Sequence, residues 1–91
     1  MLLYTFDESL ITITEAANTN DVTFQISVHT EEMRRRLKQV RSYFEDNKDY
    51  TDVLFYTQAD GTYEVIVRND SIHPFLIHAF RFQCLKSLQW E

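Results

Sequence analysis

The sequence predicts a single α+β domain over residues 1–91, in the order β-β-β-α-β-β-α, with an antiparallel sheet packed by two helices. Two observations carry this prediction. Apolar residues alternate with polar ones before residue 30 and after residue 52, as in strands. Between residues 30 and 52, the apolar residues instead recur with the spacing of a helix. A chain of 91 residues that is 44% apolar and 14% aromatic also has material for one hydrophobic core.

Three strands are predicted before the first helix. Residues 2–6 are a short β-prone run, and residues 10–14 alternate with Ile11 and Ile13 on one side. Residues 16–21 read as a turn because Asn and Asp tolerate bent backbone. The clearest strand follows, with a period-two apolar face formed by Val22, Phe24, Ile26 and Val28.

The first helix is predicted to begin after Thr30, which can serve as its N-cap. Glu31 and Glu32 then occupy the first turn, where negative charge suits the helix dipole. Residues 45–47 end the helix, and Lys48 and Asp49 lead out of it. One narrow apolar stripe indicates packing along a single face, and it consists of Met33, Leu37, Val40 and Phe44.

Residues 52–68 predict a β-hairpin, because Asp60-Gly61 is a strong signal for a two-residue type I′ turn. That loop would pair Ala59 with Thr62. One apolar face would then hold Leu54, Tyr56, Val65 and Val67, and the second face would hold Val53, Phe55 and Ile66.

A final helix is predicted from a cap at Asp70 or Ser71 to about Leu88, with apolar residues around most of its circumference. Such a helix can lie centrally in the core, or it can form a homodimer contact. The second apolar face of the hairpin favours the homodimer. The predicted dimer contact consists of Phe55, Ile66, Ile77, Phe82 and Leu85.

Residue patterns typical of catalysis or metal binding are not evident. His73 and His78 are five residues apart, so they do not share the helix face of an i, i+4 metal pair. Cys84 is the single cysteine and lies in an apolar segment, which favours a core role. We therefore expect no catalytic residue, no metal and no cofactor, and a protein that is not an enzyme.

Charge is distributed unevenly along the chain. The block at residues 34–41 contributes +5 to a chain of net charge −5, so the remainder sums to −10; the block holds Arg34, Arg35, Arg36, Lys38 and Arg41. Local pairing at i, i+4 predicts three ion pairs, namely Glu31–Arg35, Glu32–Arg36 and Arg41–Glu45. Arg34 and Lys38 then have no local partner, and the predicted partner-binding residues are Arg34, Arg35, Lys38 and Arg41.

These features favour a small, non-enzymatic interaction protein that binds a larger protein as an inhibitor or adaptor. A nucleic-acid-handling protein is one candidate partner, because acidic turns can compete for a phosphate-binding channel. The alternative is a nucleic-acid-binding regulator that uses the arginine-rich helix. No apolar run is long enough to cross a membrane, and an intracellular, cytoplasmic protein is expected.

Overall fold

The computed structural model describes residues 2–47 and 52–91, and these residues form an α+β fold with two antiparallel sheets and two helices. The elements are β1 (Leu2–Thr5), β2 (Ile11–Ala17), β3 (Asp21–Val28), α1 (Glu31–Asp46), β4 (Val53–Thr57), β5 (Tyr63–Arg68), α2 (Ile72–Arg81) and β6 (Ser87–Trp90). The predicted fold class and element order are confirmed, and one strand, β6, is added at the end of the described chain.

The larger sheet has the strand order β2-β3-β5-β4, and both helices pack on one of its faces, which we call the inner face. Phe75 of α2 lies at the centre of this packing. Its ring centroid is 5.0 Å from that of Phe24 on β3, 6.2 Å from that of Phe44 on α1 and 6.2 Å from that of Phe55 on β4. The alternation of β3 is confirmed, because its apolar residues face this core while Gln25 is exposed on the opposite, outer face.

The first helix agrees closely with the prediction. Thr30 is its N-cap, and the hydroxyl oxygen of Thr30 accepts a hydrogen bond of 3.0 Å from the Met33 N–H. All four residues of the predicted stripe, Met33, Leu37, Val40 and Phe44, are buried. The predicted exit from the helix at Lys48 and Asp49 lies outside the described residues.

The predicted register of the β4–β5 hairpin is wrong by one residue. Phe55 lies opposite Val65, because the loop has three residues rather than two. The Gly61 N–H donates to the Gln58 carbonyl at 3.0 Å, and Gly61 has a φ of 86°, which only glycine adopts readily. A one-residue slip moves every side chain to the other face. Val53 and Phe55 are therefore in the core, and Leu54 and Tyr56 are exposed.

The predicted end of the second helix is also wrong, since α2 ends at Arg81. Gln83 has a φ of 65°, its N–H donates to the Phe80 carbonyl at 2.9 Å, and the Cys84 N–H donates to the Ala79 carbonyl at 2.9 Å. These two bonds around a left-handed residue form a Schellman motif, which ends a helix and turns the chain.

The residues after this turn form β6, which pairs antiparallel with β1 in a two-stranded sheet. Leu88 lies opposite Tyr4, and both pack against the core. Cys84 and Leu85, which the prediction placed on a helix, are buried in the connection between α2 and β6.

Candidate partner-binding site

Arg34, which was predicted to lack a local partner, is held against the β4–β5 hairpin. Its guanidinium donates to the Gly61 carbonyl at 3.3 Å and to the Tyr63 hydroxyl at 3.1 Å, and it lies 5.7 Å from the centroid of the Tyr63 ring. Glu31 adds an ion pair at 3.8 Å. The Arg34 side chain is only 27% exposed. Its charge therefore holds α1 to the hairpin.

Arg36 and Arg41 also make contacts within the fold. The Arg36 guanidinium donates to the Gln83 carbonyl at 3.2 Å, which links α1 to the end of α2, and it pairs with Glu32 at 3.5 Å. The Arg41 guanidinium donates to the Thr57 hydroxyl at 3.0 Å and pairs with Glu45 at 3.2 Å. The predicted pairs Glu32–Arg36 and Arg41–Glu45 are thus confirmed.

Arg35 pairs with Glu32 rather than with Glu31 as predicted. This ion pair is exposed, and the hydrogen bond and charge of Arg35 lower the pKa of the Glu32 carboxyl below its ordinary value. Arg35 lies at the surface, but its charge is already balanced by a neighbour on the same helix.

Lys38 is the member of the basic block that has no ion pair or hydrogen bond with any residue that the structure describes. A second such cation, Arg81, comes from α2. The Arg81 guanidinium lies 4.8 Å from the centroid of the Phe82 ring and 5.8 Å from that of Tyr43. The neighbouring ring faces therefore orient Arg81 by cation–π contact.

These cations border an open cleft of about 430 Å³ between the two helices, which we call the α1–α2 cleft. Its lining consists of Lys38, Gln39, Ser42, Tyr43, Asp46, Arg81 and Phe82. The cleft thus presents two cations and two aromatic rings, with one acid, Asp46. Sequence analysis missed Arg81 and Tyr43 because they lie on different helices and no local spacing relates them.

His78 lies beside this cleft without adding a positive charge to it. Its ring stacks on Tyr43 with 4.0 Å between the ring centroids, and its Nδ1 is buried without a hydrogen-bond partner among the described residues. Burial is the main cause that lowers the pKa of His78 below 6.5, and the nearby Arg81 charge lowers it further. His78 therefore adds no positive charge at pH 7, and the charged side chains of the cleft are those of Lys38, Arg81 and Asp46.

The residues predicted to form a dimer contact do not share one surface. Phe55 and Leu85 are buried in the core of the chain itself, so neither offers area to a second copy. Ile66 lies on the outer face of the sheet, whereas Ile77 is exposed on α2 and Phe82 borders the α1–α2 cleft. Among residues 2–47 and 52–91, the large apolar side chains that are exposed are Leu54, Tyr56, Ile77, Phe80 and Trp90.

A second cavity, of about 510 Å³, lies between β1, the larger sheet and the start of α2. The Tyr4 hydroxyl donates to the Glu15 carboxylate there at 2.5 Å. Burial, followed by this hydrogen bond, raises the pKa of Tyr4 well above its ordinary value. Tyr4 therefore stays protonated, and its proton is held by a residue of the same chain.

Potential reactive groups are separated from one another. His29 pairs with Thr12, with 2.8 Å between ring nitrogen and hydroxyl, whereas His73 packs against Trp90. Within residues 2–47 and 52–91, no three His, Cys, Asp or Glu side chains are grouped as metal ligands would be. Burial raises the pKa of the Cys84 thiol to about 12, so this thiol is not activated as a nucleophile.

Comparison with family models, with curated proteins and with solved structures finds no match to this chain. In the part of the chain that the structure describes, neither helix has the length and apolar character needed to cross a bilayer.

Proposed function

We propose that this chain is a non-enzymatic, intracellular protein-binding module that acts as an inhibitor or adaptor on a larger protein. Its α1–α2 cleft would receive an acidic segment of that protein. The observation that supports this most is the joint presence of Lys38 and Arg81, which have no acidic partner among the described residues, beside the rings of Tyr43 and Phe82.

The chemistry of the cleft suits a segment that carries both acidic and apolar side chains. Carboxylates of the segment would meet Lys38 and Arg81, and an aliphatic or aromatic side chain would pack on the two rings. Arg81 already lies over Phe82 in the free chain, so less side-chain entropy is lost when it binds. The exposed Ile77 and Phe80 on α2 extend the apolar area along the same helix.

Binding of single-stranded nucleic acid is the second candidate, because cations next to aromatic rings can bind phosphates and stack bases. It has less support than protein binding. Arg34, Arg36 and Arg41 contact the chain itself, and outside the basic block the chain carries a net charge of −10. That surface charge would repel a polyanion.

Selection from a displayed library of random short peptides tests the proposal directly. We expect the immobilised chain to enrich peptides that combine Asp or Glu with an aliphatic or aromatic residue. A selected peptide should bind the Lys38→Glu, Arg81→Glu double variant much more weakly, by about tenfold for each reversed charge. Lys86→Glu is the control for one reversed charge outside the cleft, because Lys86 is exposed and does not line the cleft.

Two results would contradict the proposal. The first is enrichment of acidic peptides whose binding is the same in the double variant as in the control. The second is that no peptide is enriched, whereas a labelled single-stranded oligonucleotide binds the unmodified chain and does not bind the double variant. The second result would support nucleic-acid binding instead.

A further inference from the structure

The two edges of the larger sheet differ in how they are protected against pairing with another strand. Edges are commonly protected by charged side chains, proline or bulges. On β2 the carboxylate of Glu15 lies on the inner face, where it accepts the Tyr4 hydrogen bond. On β4 none of the five residues, Val53–Thr57, is charged or proline, and its pairing with β5 is regular. Among the described residues, none therefore protects the edge at β4 by a charge, a proline or a bulge.

The hydrogen bonds of the hairpin show which β4 groups face this open edge. The Gln58 N–H donates to the Thr62 carbonyl at 2.8 Å, and the Arg68 N–H donates to the Asp52 carbonyl at 3.0 Å. Hydrogen-bonded pairs alternate along an antiparallel ladder, so Leu54 and Tyr56 also bond to β5. The N–H and C=O groups of the three odd-numbered residues point away from β5; these residues are Val53, Phe55 and Thr57.

These six backbone groups have no hydrogen-bond partner among the described residues. The neighbouring outer face carries apolar side chains that are also exposed: Leu54 is 47% exposed, and Tyr56 is 50% exposed. Leu54 lies opposite Ile66 of β5, which continues the apolar area into the sheet. An added strand would thus find both backbone groups and apolar contact on β4.

The sequence of β4 is complementary to itself in one antiparallel register. With the twofold axis at Phe55, the hydrogen-bonded pairs are Phe55 with Phe55 of the second copy and Val53 with its Thr57. Leu54 then lies opposite Tyr56 of the second copy, at positions where side chains approach most closely. Asp52 faces Gln58 rather than another acid. All six free backbone groups are satisfied in this register.

From this self-complementarity we infer that two copies of the chain associate through β4, which gives a continuous eight-stranded sheet. Each chain has a net charge of −5, so two copies repel each other over most of their surface. β4 itself carries no charged side chain, and the Arg41 that donates to Thr57 is paired with Glu45, so two copies can approach there without opposing unbalanced like charges. This contact lies at the sheet edge and outer face, away from the α1–α2 cleft, and it does not depend on the proposed function.

Sedimentation velocity over a micromolar concentration series tests the association, and we expect the mass of two chains of 10.9 kDa each. The Leu54→Lys, Tyr56→Lys double variant should sediment as a monomer, because its added charges face one another across the twofold axis. Thr14→Lys with Ala16→Lys is the matched control. It adds the same charge to exposed outer-face positions of β2, and it should remain a dimer.

Hydrogen exchange of the unmodified chain locates the contact without any substitution. In the dimer we expect slow exchange at the amides of Val53, Phe55 and Thr57, and faster exchange there on dilution to the monomer. The amides of Leu54 and Tyr56 bond to β5 in both states and serve as internal references. The inference is overturned by a monomer at every concentration, by a dimer in which the three odd-numbered amides exchange fast, or by equal loss of the dimer in the control variant.

Discussion

Replacement of Arg34 by Met measures how much the basic block contributes to the fold. Methionine keeps an unbranched apolar stem of similar reach, so the substitution removes the guanidinium with little loss of packing. It deletes the hydrogen bonds to Gly61 and Tyr63, the contact with the Tyr63 ring and the ion pair with Glu31. If these contacts hold α1 to the hairpin, Arg34→Met should destabilise the whole domain.

The size of the effect follows from the geometry. Hydrogen bonds from a charged donor contribute about 1.5–3 kcal/mol when short. The Arg34 bonds, at 3.3 and 3.1 Å, are longer than the strongest of this type, so we take the lower end for both together. The cation–π contact adds about 0.5–1 kcal/mol. The pair with Glu31, whose side chain is 86% exposed, adds about zero. The free energy of unfolding should fall by about 2 kcal/mol.

Urea denaturation is the assay, since a loss of about 2 kcal/mol lowers the midpoint by about 1 M for a small domain. Arg35→Met is the matched control, because its side chain is 71% exposed and pairs with an exposed acid, and it should change the midpoint little. A double-mutant cycle with Tyr63→Phe should give a coupling of about 0.5–1.5 kcal/mol. Equal effects of Arg34→Met and Arg35→Met, together with no coupling, would refute a structural role for Arg34.

Three further predictions concern α2 and the turn that follows it. Gln83→Gly should raise the free energy of unfolding by about 0.5–1 kcal/mol, because Gln83 holds a left-handed conformation that glycine adopts without a Cβ clash. As the pH falls below 6.5, the ordinary histidine pKa, the free energy of unfolding should decrease less in His78→Phe than in the unmodified chain. In the unmodified chain, unfolded His78 gains a proton there that folded His78 binds less readily, so the unfolded state is favoured. Cys84 should react with a thiol reagent far more slowly in the native chain than in urea, because it is buried and its pKa is raised to about 12.

Thermal or urea unfolding checks the first two predictions, and a colorimetric thiol assay checks the third. Gln83→Ala separates the loss of the glutamine side chain from the gain of glycine, and it should not stabilise the chain. A pH profile that is the same with and without His78 would contradict the role assigned to its burial. Fast native labelling of Cys84 at micromolar protein would show that the segment after α2 opens readily.

Local periodicity was enough to predict most of the fold. The stripe from Met33 to Phe44 and the alternation of β3 depend on spacing alone, and both agree with the structure. The hairpin register depends on loop length, however. The sequence Asp60-Gly61 is compatible with a two-residue loop and with a three-residue loop. In the structure, Gly61 takes the left-handed position of a three-residue loop. One residue of difference exchanged the buried and exposed faces of β4.

The end of α2 could not be predicted from a sequence signal, because no glycine or proline marks it. Gln83 adopts the left-handed position that glycine usually occupies, so the apolar residues beyond it continued to look helical. β6 pairs with β1 from the opposite end of the described chain. Such a long-range pairing leaves no local pattern in the sequence.

The basic block was predicted as a partner site from local pairing rules, which cannot show contacts between distant segments. Arg34 reaches Gly61 and Tyr63, and Arg36 reaches Gln83; these contacts join residues that are far apart in the sequence. Lys38 is the predicted residue that lines the candidate cleft, and its companion Arg81 comes from α2. The cleft therefore depends on the side-by-side packing of α1 and α2, which local spacing in the sequence does not predict.

Backbone amide NMR of the isotope-labelled chain, titrated with a selected acidic peptide, tests the central claim that the cleft rather than the arginine block binds the partner. We predict shift changes at the residues that line the α1–α2 cleft, chiefly Lys38, Tyr43, Arg81 and Phe82, and little change around Arg34 or along β4. Shift changes centred on Arg34 and Arg35, with none at Arg81 or Phe82, would contradict the claim.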